Sequence, residues 1–162
     1  MDAFENRFMP AIRAGDFIRA EQALEEWKRQ TSNTMYLWAK SILMVRTGKI
    51  EKANEILSDV INKGQDEGRI CHHARADNYL NSKKYLDALS DFSAILADKT
   101  PRVQEMLGSD CLFRKAYILA VLGKHEFLSV IDKVTPDYSS FIVDKNYDRL
   151  ALINVYNDTK KL

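Results

Sequence analysis

The chain has 162 residues, with 24 Lys and Arg against 23 Asp and Glu and 46% apolar positions. A chain of this length buries roughly two thirds of its unfolded surface, enough for one globular domain. The charge is even along the chain as well as in total, 12 basic and 12 acidic residues through Asn81 and then 12 and 11, which argues against a partner held by bulk charge, because nucleic-acid binders gather Lys and Arg into a stripe.

Six Gly and three Pro are too few for an all-β chain that turns every ~8–12 residues, so long helices are expected. The opening MDAFENRFMP carries acids and no apolar run of secretory length. No apolar run approaches the ~18 residues of a membrane span. Two cysteines, Cys71 and Cys111, cannot build a disulfide framework. A cytoplasmic protein without membrane contact is expected.

Along the chain one pattern recurs. Ala14-Gly15-Asp16-Phe17-Ile18-Arg19-Ala20 aligns with Thr47-Gly48-Lys49-Ile50-Glu51-Lys52-Ala53 and with Ser82-Lys83-Lys84-Tyr85-Leu86-Asp87-Ala88, and more loosely with Leu122-Gly123-Lys124-His125-Glu126-Phe127-Leu128. The turn positions 15, 48, 83 and 123 are 33, 35 and 40 residues apart, the length of two helices, a tight turn and a linker. Glycine at the turn permits the positive φ that ends a helix in a left-handed cap. Phe17, Ile50 and Tyr85 anchor the second helices, and Ala20, Ala53 and Ala88 let helices approach. Leu24 with Trp27, Leu57 with Val60, and Phe92 with Ile95 complete each apolar stripe.

The first helices repeat too. Phe8, Ser41, Ala76 and Ala116 stand seven places before the turn, preceded by Arg7, Lys40, Arg75 and Lys115, whose stems lie along apolar surface while their charges reach water. In the first copy Pro10 falls inside the helix and predicts a kink or an end there. In the third, Lys83 stands where glycine is expected, and Asn81 or Ser82 is expected to supply the turn. The extra residues before the fourth copy fall within Lys99 to Gly108, where Thr100-Pro101 predicts an additional helical turn. After Pro136 the repeat stops. A loop, an extended Phe141-Ile142-Val143 docked on the last pair, and a helix N-capped by Asn146 and striped by Tyr147, Leu150, Ile153 and Tyr156 are expected to cover the apolar end of the stack.

Chemistry is hard to find. The chain lacks G-x-S-x-G, G-x-x-x-x-G-K-[ST], G-x-G-x-x-G and H-E-x-x-H. Consecutive residues on a helix point about 100° apart, so Cys71-His72-His73 cannot close on one ion. Cys71 and Cys111 share the position twelve places before the turn and read as small buried apolar residues. Glu25-Glu26 and Asp66-Glu67 read as solvated surface, the latter in the linker from Gly64 to Gly68. No catalytic residue, metal or cofactor is expected.

The repeat resembles the tetratricopeptide family, a 34-residue antiparallel helix pair, on Gly15, Phe17, Ala20, Leu24 and Trp27; Gly48, Ile50, Ala53, Leu57 and Val60; and Tyr85, Ala88, Phe92, Ile95 and Pro101. The resemblance implies an all-α superhelix of about four antiparallel pairs (1–32, 33–67, 68–101, 102–136), a TPR-like solenoid, with residues 137–162 as docking loop and capping helix. It further implies a concave groove lined by first helices and a non-enzymatic module binding a partner protein or peptide there. The groove positions are Trp38, Ala39, Ile42 and Arg46; His73, Ala74, Asp77 and Asn81; and Phe113, Arg114, Tyr117 and Val121. Trp, Tyr and Arg are the residue types of binding hot spots. Two readings of the aromatics stay open, an exposed groove and a short array that fills its own centre. The carboxylate clamp of some family members is rejected, because its places here hold Glu5, Met9, Ala39, Ile70 and Ala74. The stretch from Cys111 to Tyr138 also resembles bacterial helical-repeat immunity proteins. A secretion chaperone and a helical-repeat RNA-binding protein are the alternatives, and monomer or homodimer is left open.

Overall fold

The computed structural model describes residues 4–161. The chain divides into two compact units, Met1–Asn78 and Tyr79–Leu162. Almost all of its regular structure is helical, with one short two-stranded sheet.

In the first unit a π-helical turn, Phe4–Phe8, runs into α1 (Met9–Ala14), followed by α2 (Phe17–Trp27), α3 (Asn33–Arg46), α4 (Ile50–Asn62) and most of α5 (Ile70–Asn81). Pro10 sits in the first turn of α1, where a missing N–H costs least. The π winding just before it opens the helix where the proline ring would meet the carbonyl of Asn6. Pro10 therefore does not end the helix, which runs on to Ala14. Asp16 and Ser32 cap α2 and α3 by accepting from the backbone N–H of Arg19 and Met35. Phe8, Ala11, Ile12, Ala20, Ala23, Leu24, Trp27, Tyr36 and Ala39 form one buried cluster over α1, α2 and α3. Leu57, Val60 and Cys71 form a second, where α4 meets α5. Arg75 donates to Ser58 Oγ at 2.8 Å and Asn78 to Asn54 Oδ1 at 2.8 Å along the same seam.

The second unit holds α6 (Tyr85–Ala97), α7 (Pro101–Val103), a π-helical turn Gln104–Gly108, α8 (Ser109–Val121), α9 (Phe127–Ile131), strands β1 (Ser139–Ile142) and β2 (Lys145–Asp148), and α10 (Arg149–Thr159). The expected additional turn is α7 and the π segment, which continue directly into α8. Gln104 Nε2 donates to the Ile95 carbonyl at 3.0 Å and also to that of Asp98, satisfying two groups at the open C-terminal end of α6. Helix α8 is the centre of this unit, packed by α6 and α10 and buried at Phe113, Ala116, Tyr117, Ile118, Leu119 and Ala120.

All four turn positions are left-handed, with φ of 74° at Gly15, 78° at Gly48, 57° at Lys83 and 61° at Gly123. Lys83 therefore makes the third turn itself, where Asn81 or Ser82 was expected. In each case the helix closes on this residue and the next N–H returns to a carbonyl five residues back: Asp16 to Ala11, Lys49 to Met44, Lys84 to Tyr79 and Lys124 to Leu119. Phe8, Ser41, Ala76 and Ala116, seven places before the turn, are all at most 1% exposed, and Ala20, Ala53 and Ala88 are fully buried. The repeat in the sequence is thus a repeat in the core.

The fourth copy departs from the pattern after its turn. Helix α9 is only five residues long and Leu128, at the alanine position, is 45% exposed. Phe127, Ile131 and Val134 are buried in its place, so the stripe has moved by one residue. Helix α10 packs against α8 and stacks Tyr156 on Phe127 at 4.6 Å. The cap of α10 is Asp148, which accepts from the N–H of Ala151, and not Asn146. Asn146 and Tyr147 lie instead in β2, paired with Phe141 and Ser140.

A left-handed residue with a Cβ costs about 1 kcal/mol. Lys83→Gly is expected to stabilise the chain by about 0.5–1 kcal/mol in urea unfolding, and Gly48→Ala, which meets no neighbouring atom, to destabilise it by about 1 kcal/mol. Equal and opposite results would show that these φ values are not those of the folded chain.

Candidate functional site

The expected groove residues fall into two groups. On α3, Trp38 is half-buried, its ring 5.4 Å from that of Phe4, and it packs against both clusters of the first unit. Ile42 also lies against the first cluster, and Arg46 is exposed in the last turn, where a cation suits the helix dipole. On α5, His73 and Asp77 stand one turn apart with Nδ1 and Oδ2 at 3.8 Å. Ile70 and Ala74 of α5 pack against the same cluster as Trp38.

Asn81, Phe113, Arg114 and Tyr117 belong to the second unit. Asn81 is exposed at the end of α5. Phe113 and Tyr117 are buried, because the segment after Pro136 covers them: the rings of Tyr138 and Phe113 are 5.2 Å apart, and Tyr147 meets Tyr117 edge-on at 5.0 Å. Burial pushes the Tyr117 phenol above its usual range, with Tyr147 adding to the effect. Asp110 ties the cover down, accepting from Arg114 Nε at 2.7 Å, Tyr138 Oη at 3.1 Å and Ser140 Oγ at 3.3 Å. Burial and then the Asp110 charge raise the Tyr138 phenol to about 12. Over this stretch the aromatics fill their own centre.

The hairpin carries one strained residue. Val143, in the two-residue loop, has φ of 59°, a conformation that a β-branched residue adopts only at a cost.

The basic residue eight places before each turn is more than a stem reaching water. Arg7 pairs with Glu26, Lys115 with Glu126 at 2.8 Å, Arg75 donates to Ser58, and Lys40 sits 5.8 Å from the Tyr36 ring. Three of the four join the helix that follows or precedes. Glu25 accepts from Tyr36 Oη at 2.6 Å, and burial followed by this carboxylate raises the Tyr36 phenol to about 12.

Asp66 is the residue that reading the sequence missed. It is not solvated surface: its side chain is 4% exposed and it accepts from the N–H of Cys71 at 2.8 Å, the N–H of His72 at 2.9 Å and His72 Nδ1 at 2.5 Å. Burial alone would raise its pKa, but the His72 bond and the two backbone bonds outweigh that and hold the carboxyl below its ordinary range. The signal was a carboxylate just ahead of a helix start, with a histidine six residues on. Cys71 is buried beside it, and burial, reinforced by Asp66, pushes the thiol well above its usual range, which makes it unreactive. His72 faces Asp66 and His73 faces Asp77. No group of three or more His, Cys, Asp or Glu that could hold a metal occurs among the described residues, and no helix among them is long and apolar enough to cross a membrane.

Comparison with protein-family models, with curated proteins and with solved structures finds no significant match.

Two outcomes follow from these networks. A lowered folded-state pKa gives stability that is complete above the ordinary carboxylate pKa of about 3.9 and is lost as pH falls through the lowered value. Asp66→Asn is expected to cost about 1–2 kcal/mol at pH 7, with the gap from the native chain closing below about pH 4 in acid-unfolding curves; a gap independent of pH would contradict the network. Tyr138→Phe removes one hydrogen bond and is expected to cost about 1 kcal/mol, read as faster amide exchange in β1 and β2 with α4 unchanged.

Proposed function

We propose that the chain is a non-enzymatic protein-interaction module of the tetratricopeptide-like helical-repeat class, binding a partner protein or peptide through the first helices of its pairs. The observation that carries this reading is the division of labour on α3 and α5. The positions in phase with the turn, Ser41 and Ala76, are consumed by the core, while Trp38, Ile42, Arg46, His73 and Asp77 stay at least partly exposed beside them. A half-buried Trp38 held on Phe4 is a rigid anchor, and rigid aromatic and Arg side chains bind at low entropic cost. Phe113 and Tyr117 drop out of the binding face because Tyr138 and Tyr147 already fill that place.

A toxin-neutralising accessory protein and a secretion chaperone are both members of this class, and the identity of the partner separates them. Even charge favours recognition by shape and a few side chains over a polyanion.

The test is co-expression with the product of the adjacent gene. A 1:1 complex is expected, with the chain stabilised by about 2.7 kcal/mol when the partner is present at a hundredfold excess over Kd. Arg46→Glu alters only an exposed side chain and is expected to weaken the complex about tenfold with the melting temperature of the free chain unchanged. An affinity unaffected by both Arg46→Glu and His73→Ala would remove the binding face from α3 and α5.

A further inference from the structure

A second surface of the first unit lies on the opposite side of α3. Phe17, Ile18 and Glu21 of α2, Lys40, Leu43 and Met44 of α3, and Thr47 and Lys49 of the turn enclose a cleft of about 200 Å³. This is below the ~300–1,000 Å³ of small-molecule sites and suits one large side chain. On a helix of 3.6 residues per turn, Lys40, Leu43, Met44 and Thr47 project away from Trp38, Ile42 and Arg46, so the cleft and the proposed binding face are separate.

Ile18 is the most telling of these residues. It is 75% exposed and lies on the far side of α2 from Ala20, Ala23, Leu24 and Trp27. Its place, three after the turn, holds Glu51 in the second copy, Leu86, itself 70% exposed, in the third, and Glu126 in the fourth. The fold therefore accepts a carboxylate there, and an exposed isoleucine serves no packing need of the repeat. The rim adds charge. Neither the Lys40 nor the Lys49 ammonium has an ion-pair partner among the described residues, Lys40 having only the Tyr36 ring at 5.8 Å, and Glu21 is the single acid of the lining.

We propose that this cleft docks an acidic segment of a partner protein that inserts one large apolar side chain between α2 and α3. Phe17, Ile18, Leu43 and Met44 form the apolar floor, with methionine adapting to the shape of the guest. Lys40 and Lys49 pair with carboxylates on either side of the anchor. The proposal rests on the reading of the chain as a protein-interaction module and adds a second contact, with its chemistry, to that reading.

The experiment is a titration of the full chain, ¹⁵N-labelled, with a synthetic acetylated heptapeptide that has a central phenylalanine flanked by glutamates. A second peptide carries lysines in place of the glutamates, and a third has serine in place of the phenylalanine. Amide shifts clustered on residues 17–21 and 40–49 are expected with the first peptide alone, weakening as salt is raised. Ile18→Glu, which copies the second and fourth repeats and leaves the fold intact, is expected to lower the affinity about tenfold, and Lys49→Glu to do the same. No shifts, or equal shifts with the lysine peptide, would overturn the cleft assignment. Shifts centred on Trp38, Ile42, Arg46 and His73 would also overturn it while leaving the interaction-module reading standing.

Discussion

One backbone constraint organises this chain: each helix that ends, reverses and packs back on itself within three residues does so through a left-handed residue. That residue sits at 15, 48, 83 and 123. Once it is placed, the helix on each side has a fixed phase, and the phase decides which side chains meet. Phe8, Ser41, Ala76 and Ala116 go inward on one side of the turn and Ala20, Ala53 and Ala88 on the other. Small residues at both points, with Phe8 the exception, bring helix axes close. The core clusters of the first unit follow, and so does the set of side chains left over for other work.

The repeat was legible because it has several independent marks that agree. Glycine, a following apolar anchor and alanine recur in register, and three copies in phase specify more than any one. What stayed hidden has a common cause: it depended on contacts between residues distant in sequence or on tertiary override of a local preference. Lys83 takes φ of 57° because packing on both sides of the turn over-determines it, although Asn81 and Ser82 looked better suited. Asp66 looked like a loop carboxylate until the start of α5 folded over it and His72 closed the bond. Asp148 displaced Asn146 as a cap because β1 and β2 take four residues each and push the start of α10 later. Phe113 and Tyr117 had the spacing of groove residues, and no periodicity could show that Tyr138 and Tyr147 would cover them.

The fourth copy shows how the pattern is brought to a close. Its second helix shrinks to α9, its stripe shifts by one residue, and α10 packs on α8. Asp110 binds the hairpin to the helix it covers through Tyr138 and Ser140. Aromatic residues that a regular array would leave open are thereby used as core. In the first unit the corresponding aromatic, Trp38, is only half taken up, and α3 has two partly exposed faces: one with Trp38, Ile42 and Arg46, the other along the cleft lined by Lys40, Leu43 and Met44.

The pairing of the helices depends on the turn. The most direct measurement is the backbone conformation of residues 15, 48, 83 and 123 in solution, from amide-to-α-proton couplings and backbone chemical shifts of the labelled full-length chain. Positive φ is expected at all four, including Lys83, with Asn81 and Ser82 right-handed. A right-handed Lys83 with the positive φ moved to Asn81 or Ser82 would put α6 in a different phase from α2 and α4, and would contradict the common repeat on which the proposed function depends.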